Sequence, residues 1–103
     1  MKIELICFDG CPSWQKALEN LESALQLERI QGEIDLIQVQ NDNDAQRLRF
    51  LGSPHFRGDG RDLWPEDRDT YSLGCRVYAT PEGIKGVPTV EMLREQLGQF
   101  KRA

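Results

Sequence analysis

Ile3 to Phe8 is an almost continuous apolar run, broken by Glu4 and closed by Asp9-Gly10. It reads as a buried central strand followed by a turn. Beyond it, Trp14, Ala17, Leu18, Leu21, Ala24 and Leu25 recur at spacings of three and four. This is the stripe of an amphipathic helix with Pro12 at its first position, which puts Cys11 at the N-cap. Gly32 restarts the chain, and Ile34, Leu36, Ile37 and Val39 predict a second strand. A strand–helix–strand unit of this kind favours a parallel pair with a right-handed crossover.

Asn41-Asp42-Asn43-Asp44 offers capping oxygens ahead of Ala45, Leu48 and Leu51, predicting a short second helix that ends with Gly52 in the left-handed position. His55-Phe56-Arg57, Gly58-Asp59-Gly60 and Arg61-Asp62-Leu63 predict a hairpin, because glycines flanking an aspartate permit the positive φ of a tight turn. Trp64 to Gly74 reads as a polar loop, Cys75 to Tyr78 as a short strand, and Val90, Leu93, Leu97 and Phe100 as a last amphipathic helix after Pro88. The chain is therefore expected to form one α/β domain over residues 1–103, ordered strand, helix, strand, helix, hairpin, helix.

A chain of 103 residues, 39% hydrophobic and 29% charged, buries enough surface to fold without disulfide staples. Thirteen basic against seventeen acidic residues give a net charge of −4, so non-specific attraction to nucleic acid is not expected. No apolar run reaches the roughly 20 residues that span a bilayer, and the N-terminal run lacks the form of a secretory leader. A cytoplasmic protein without membrane or nucleic-acid partners is expected. In a reducing compartment the odd set Cys7, Cys11 and Cys75 points to free thiols.

A cysteine at a helix N-terminus sits where unpaired amides and the helix dipole favour an anion, so the placement of Cys11 favours its thiolate. Pro12 has no N–H to lose and leaves the following amides free to point at the sulfur. The thiolate is the form that attacks disulfides and binds soft metals. At this junction the chain resembles the thioredoxin-like superfamily. Cys11-Pro12-Ser13-Trp14 is similar to a glutaredoxin-type Cys-Pro-x-Cys motif whose second cysteine has become Trp14, a monothiol variant. Ser53-Pro54 is similar to that superfamily's cis-proline loop. The resemblance implies a thioredoxin-like fold: a central four-stranded mixed sheet flanked by helices, with an extra loop and short strand before the last helix. It also gives Pro54 the cis-proline role facing Cys11. Phe8 to Pro12, Arg49 to Pro54, Asp59 to Asp62, Cys75 to Tyr78 and Gly83 to Pro88 resemble a group of bacterial thioredoxin-like proteins, some labelled as relatives of alkylmercury lyases. The lyase arrangement of paired cysteines and an acid around the metal has no residue-by-residue counterpart here, and His55 stands where that group has threonine.

Two functions follow as expectations. The first is a monothiol-type thiol–disulfide redox protein with Cys11 as nucleophile and Cys75, Cys7 or glutathione as the second thiol. Its substrate would be a protein disulfide or a low-molecular-weight thiol adduct, with no bound cofactor. Pro12, Ser53, Pro54 and Arg76 would face that substrate, Ser53 through its backbone and Arg76 as a partner for a carboxylate or for the Cys75 thiol. The second is a non-catalytic module of the same fold that holds a soft metal or mercurial through cysteine thiolates, or docks a partner. Plainer readings stand beside these: Cys7 as a small apolar residue on the Ile3–Leu5 face, Trp14 as packing against Ala17 and Leu18, and His55 as a surface strand residue. The acids from Asp59 to Asp69 lack EF-hand spacing, and Gly58 and Gly60 lack a phosphate-loop context.

Overall fold

The computed structural model describes residues 1–102, the last two as helical backbone only. It is a mixed α/β fold built on a four-stranded sheet with three helices. The sheet runs β2 (Glu33–Gln38), β1 (Lys2–Cys7), β3 (His55–Gly58), β4 (Arg61–Asp62). β1 pairs parallel to β2, with Leu5 opposite Leu36, and antiparallel to β3, with Leu5 opposite Phe56. The apolar run of β1 is thereby explained, since this strand has a partner on both edges and cover on both faces.

Alternation along β1 divides the core in two. Ile3 and Leu5 join Phe56, Leu63 and Tyr78 beneath α1 (Trp14–Leu27) and α3 (Val90–Arg102), which contribute Ala17, Leu21, Ala24 and Leu25, and Leu93 and Leu97. Ile6 faces the other way and packs with Val39, Phe50 and Ala45 of α2 (Asp42–Leu48). The α1 stripe is the one read from the sequence, but the helix begins later. Its N-cap is Ser13 and its first residue Trp14, so Cys11 lies two residues before the cap and Pro12 sits in the preceding turn.

Three further differences bear on the site. α2 is capped as expected, with Asn41 accepting from the Asp44 N–H, but it closes at Arg49, which itself adopts the left-handed conformation at φ 54°. Gly52, at φ +111°, is left for another use. The predicted Cys75–Tyr78 strand is not formed. Instead β5 (Tyr78–Thr80) pairs with β6 (Gly83–Lys85) in a separate hairpin, and Cys75 makes an isolated parallel bridge to Ser53. The β3–β4 hairpin forms as expected, through Asp59 and Gly60, both at positive φ.

Candidate functional site

Three features meet near the C-terminal end of β1: the turn into α1, the Ser53–Pro54 segment leading into β3, and the stretch after the long loop that carries Cys75. The Cys11 N–H donates to the Phe8 carbonyl at 3.1 Å, closing the turn that brings the chain from β1 towards α1. No side chain caps α1 at Ser13, so its first amides remain available, and the helix dipole points its positive end at this turn. Cys11 is only 3% exposed, and Cys7 only 4%. Cys75 is exposed. All three thiols are free.

The Ser53–Pro54 peptide is cis. The Ser53 backbone is not open to a ligand: its N–H donates to the Gly74 carbonyl and its carbonyl accepts from the Arg76 N–H, both at 2.9 Å. This corrects the expectation that Ser53 lines up a substrate through free backbone groups. The chain's own residues 74–76 already occupy that edge. The Ser53 hydroxyl is buried beside them and has no hydrogen-bond partner among the described residues.

The bridge to Ser53 presents Cys75 to Cys11. Partial burial raises the Cys75 thiol above its usual range, and Cys11 raises it further, through charge and as a hydrogen-bonding neighbour. Burial likewise raises Cys7, helped by Cys11 and Asp9. Cys11 is thus a neighbour of both other sulfurs. Cys7 lines a slot of about 220 Å³ with Phe8, Asp9, Trp14, Leu36 and Gln38, and Cys75 is not part of that lining. Trp14 is half-buried there rather than sunk in the main core. Pro12 faces a different cleft, of about 320 Å³, whose walls include Ser13, Lys16, Asn20, Lys85 and Pro88 but no cysteine.

Arg76 is not free for a substrate carboxylate. Its guanidinium is turned inward, 11% exposed, donates to the Trp64 carbonyl at 2.6 Å, lies 3.4 Å from Glu66 and stands 5.3 Å from the centre of the Tyr78 ring. Tyr78 in turn donates its phenol to the Pro54 carbonyl. Burial pushes that phenol well above its usual range, so it remains a donor at all ordinary pH.

His55, expected on the surface, is fully buried at the start of β3. Its Nδ1 accepts the Leu51 N–H at 3.2 Å and its Nε2 lies 2.7 Å from Asp62 Oδ1. Accepting at Nδ1 places the proton on Nε2 of a neutral ring, which donates it to the carboxylate. Burial lowers the His55 pKa despite the opposing pull of Asp62, so the contact is a hydrogen bond of a neutral imidazole rather than an ion pair. Burial alone would raise Asp62, but bonds from His55 and from Arg57, at 2.9 Å, outweigh it and hold the carboxyl low. No sequence signal separated this network from a solvated hairpin, because its members are paired across the strands rather than by local spacing.

Among the described residues, no group of three or more His, Cys, Asp or Glu side chains is arranged to hold a metal ion. Nor is any helix long and apolar enough to cross a membrane. Comparison of the chain with family models, with curated proteins and with solved structures returned no match.

Proposed function

We propose that the chain is a thiol–disulfide redox protein of thioredoxin-like fold in which Cys11 and Cys75 form the reacting pair. The sheet order β2-β1-β3-β4, the β–α–β–α–β–β–α sequence interrupted by the β5–β6 hairpin, and the cis Ser53–Pro54 bond all support the fold reading. The observation that carries the function is the bridge from Ser53 to Cys75, which accompanies an exposed Cys75 thiol next to the buried Cys11 in the turn before α1. Among the described residues no group of three or more potential ligands stands together, and the redox reading needs only the two neighbouring thiols, Cys11 and Cys75.

Exposure sets the order of events. An incoming disulfide R–S–S–R′ meets Cys75 before Cys11, so the Cys75 thiolate attacks one sulfur, the S–S bond breaks and R′–S⁻ leaves to take up a proton. Cys11 then loses its proton to solvent and attacks the Cys75 sulfur, expelling R–S⁻ and closing the Cys11–Cys75 bond. The substrate is reduced to two thiols and the chain is oxidised by two electrons. In the reverse direction a low-molecular-weight thiol such as glutathione attacks Cys75. Cys11 leaves as a thiolate and takes up a proton from solvent, and a second such thiol attacks the adduct on Cys75, giving a low-molecular-weight disulfide and the reduced chain. This order inverts the expectation that Cys11 attacks first, and the cause is its burial.

A chromogenic aromatic disulfide tests the order in a Cys7→Ser background. With Cys11 and Cys75 both present, each chain should release two coloured thiolates. Cys11→Ser should release one and retain the other half as an adduct on Cys75, whereas Cys75→Ser should react far more slowly. Equal rates for Cys75→Ser and its parent would overturn the assignment.

A further inference from the structure

The stretch that carries Cys75 has few attachments. Gly74 has no side chain, Cys75 is exposed, and Val77 is 64% exposed. Within residues 74–77 the inward-turned side chain is that of Arg76, which reaches the Trp64 carbonyl, Glu66 and the Tyr78 ring. The backbone adds the two hydrogen bonds to Ser53. Beneath it lies Gly52, where a Cβ would stand 3.0 Å from the Arg76 Cβ, 3.1 Å from the Arg76 nitrogen and 3.2 Å from the Cys75 carbonyl carbon. The stretch therefore rests against bare backbone, and the Ser53 hydroxyl it covers is left unpaired among the described residues. It is a strap paired to the segment that leads into β3 rather than a strand of the sheet, whose order is β2-β1-β3-β4.

We propose that Arg76 is a positioning residue that docks this strap, and that the strength of docking sets the stability of the Cys11–Cys75 bond. The inference rests on the redox reading above and adds what controls it. Only the docked strap presents Cys75 to Cys11, so bond formation and docking favour one another by the same factor in each direction. Arg76 touches neither sulfur in the contacts its guanidinium makes, so it acts on the pair through geometry. A neutral side chain of similar length keeps the backbone pairing but loses the charge-assisted hold on Trp64 and Glu66. Lysine restores one donor and the charge but not the planar fork.

Two readouts test this with Arg76→Gln and Arg76→Lys. The first is the equilibrium between the reduced and bonded pair in glutathione buffers, read by mass after alkylation. The second is the amide exchange of Ser53 and Arg76 in the reduced chain, compared with Leu5 and Ile6 in β1. Arg76→Gln should weaken the bond at least tenfold against glutathione, which is about 30 mV towards easier reduction. It should also raise exchange at Ser53 and Arg76 by a similar factor, leaving β1 amides unchanged. Arg76→Lys should lie between. An equilibrium and exchange both unmoved in Arg76→Gln overturn the positioning role, as does a loss of protection spread equally through β1, which marks a merely structural arginine. If the parent chain forms no Cys11–Cys75 bond, the redox reading falls instead, and exchange at Ser53 still decides whether Arg76 docks the strap.

Discussion

Replacing Gly52 with alanine tests the strap contact in terms of stability. At φ +111° an L side chain is strained, because even the milder left-handed helical region costs about 1–2 kcal/mol. The new Cβ also meets strap backbone and the Arg76 Cβ at 3.0 to 3.2 Å, where the nearest atoms are main chain and Cβ rather than the far end of a flexible side chain. Overpacking of this kind adds about 1–3 kcal/mol. Gly60 supplies the control: it too has positive φ, +82°, but a Cβ there would meet nothing within 4 Å, so alanine carries the backbone strain alone. Urea unfolding of the two reduced variants, compared at equal slope, should therefore show Gly52→Ala about 1–3 kcal/mol less stable than Gly60→Ala. Equal losses would refute the close approach of strap to Gly52.

Other expectations follow from the buried polar contacts. Tyr78→Phe leaves the buried Pro54 carbonyl without its donor, and should cost about 1–3 kcal/mol in the same unfolding assay while retaining the ring packing on Phe56 and Trp64. The buried neutral His55 has a folded pKa below its unfolded value of about 6.5. The unfolded chain then binds more protons in the window below that value. Stability should fall as pH drops through it, by at most about 1.4 kcal/mol per pH unit for this one group. Asp62, held low, adds a loss at still lower pH, as it is protonated. A stability profile flat between pH 7 and 5, or unchanged by His55→Asn, would contradict the buried network.

The elements with a strong period were legible in the sequence. Ile3 to Phe8, the α1 stripe and the α3 stripe each give several apolar residues that only one secondary structure places together. The β3–β4 hairpin was legible for a local reason, its Asp59-Gly60 turn. What escaped was decided at long range. Arg49, rather than Gly52, ends α2, and Gly52 lies instead where the strap crosses. β5 and β6 have three residues each, too few for alternation to register. The placement of Cys75 depends on a bridge to Ser53, on the far side of the hairpin and the long loop, with no local pattern at either end. Of the site, the sequence singled out the three cysteines, Ser53, Pro54 and Arg76. It did not indicate that Cys11 would be covered, that Cys75 would be the accessible thiol, or that Arg76 would be consumed in holding it.

The most direct measurement is a redox titration of the intact chain in glutathione buffers, quenched by alkylation and mapped by peptide mass. A single intramolecular bond joining Cys11 to Cys75 is expected, formed while Cys7 stays free for alkylation and persisting in Cys7→Ser. Oxidation that yields only glutathione adducts, or a Cys7–Cys11 bond, would contradict it.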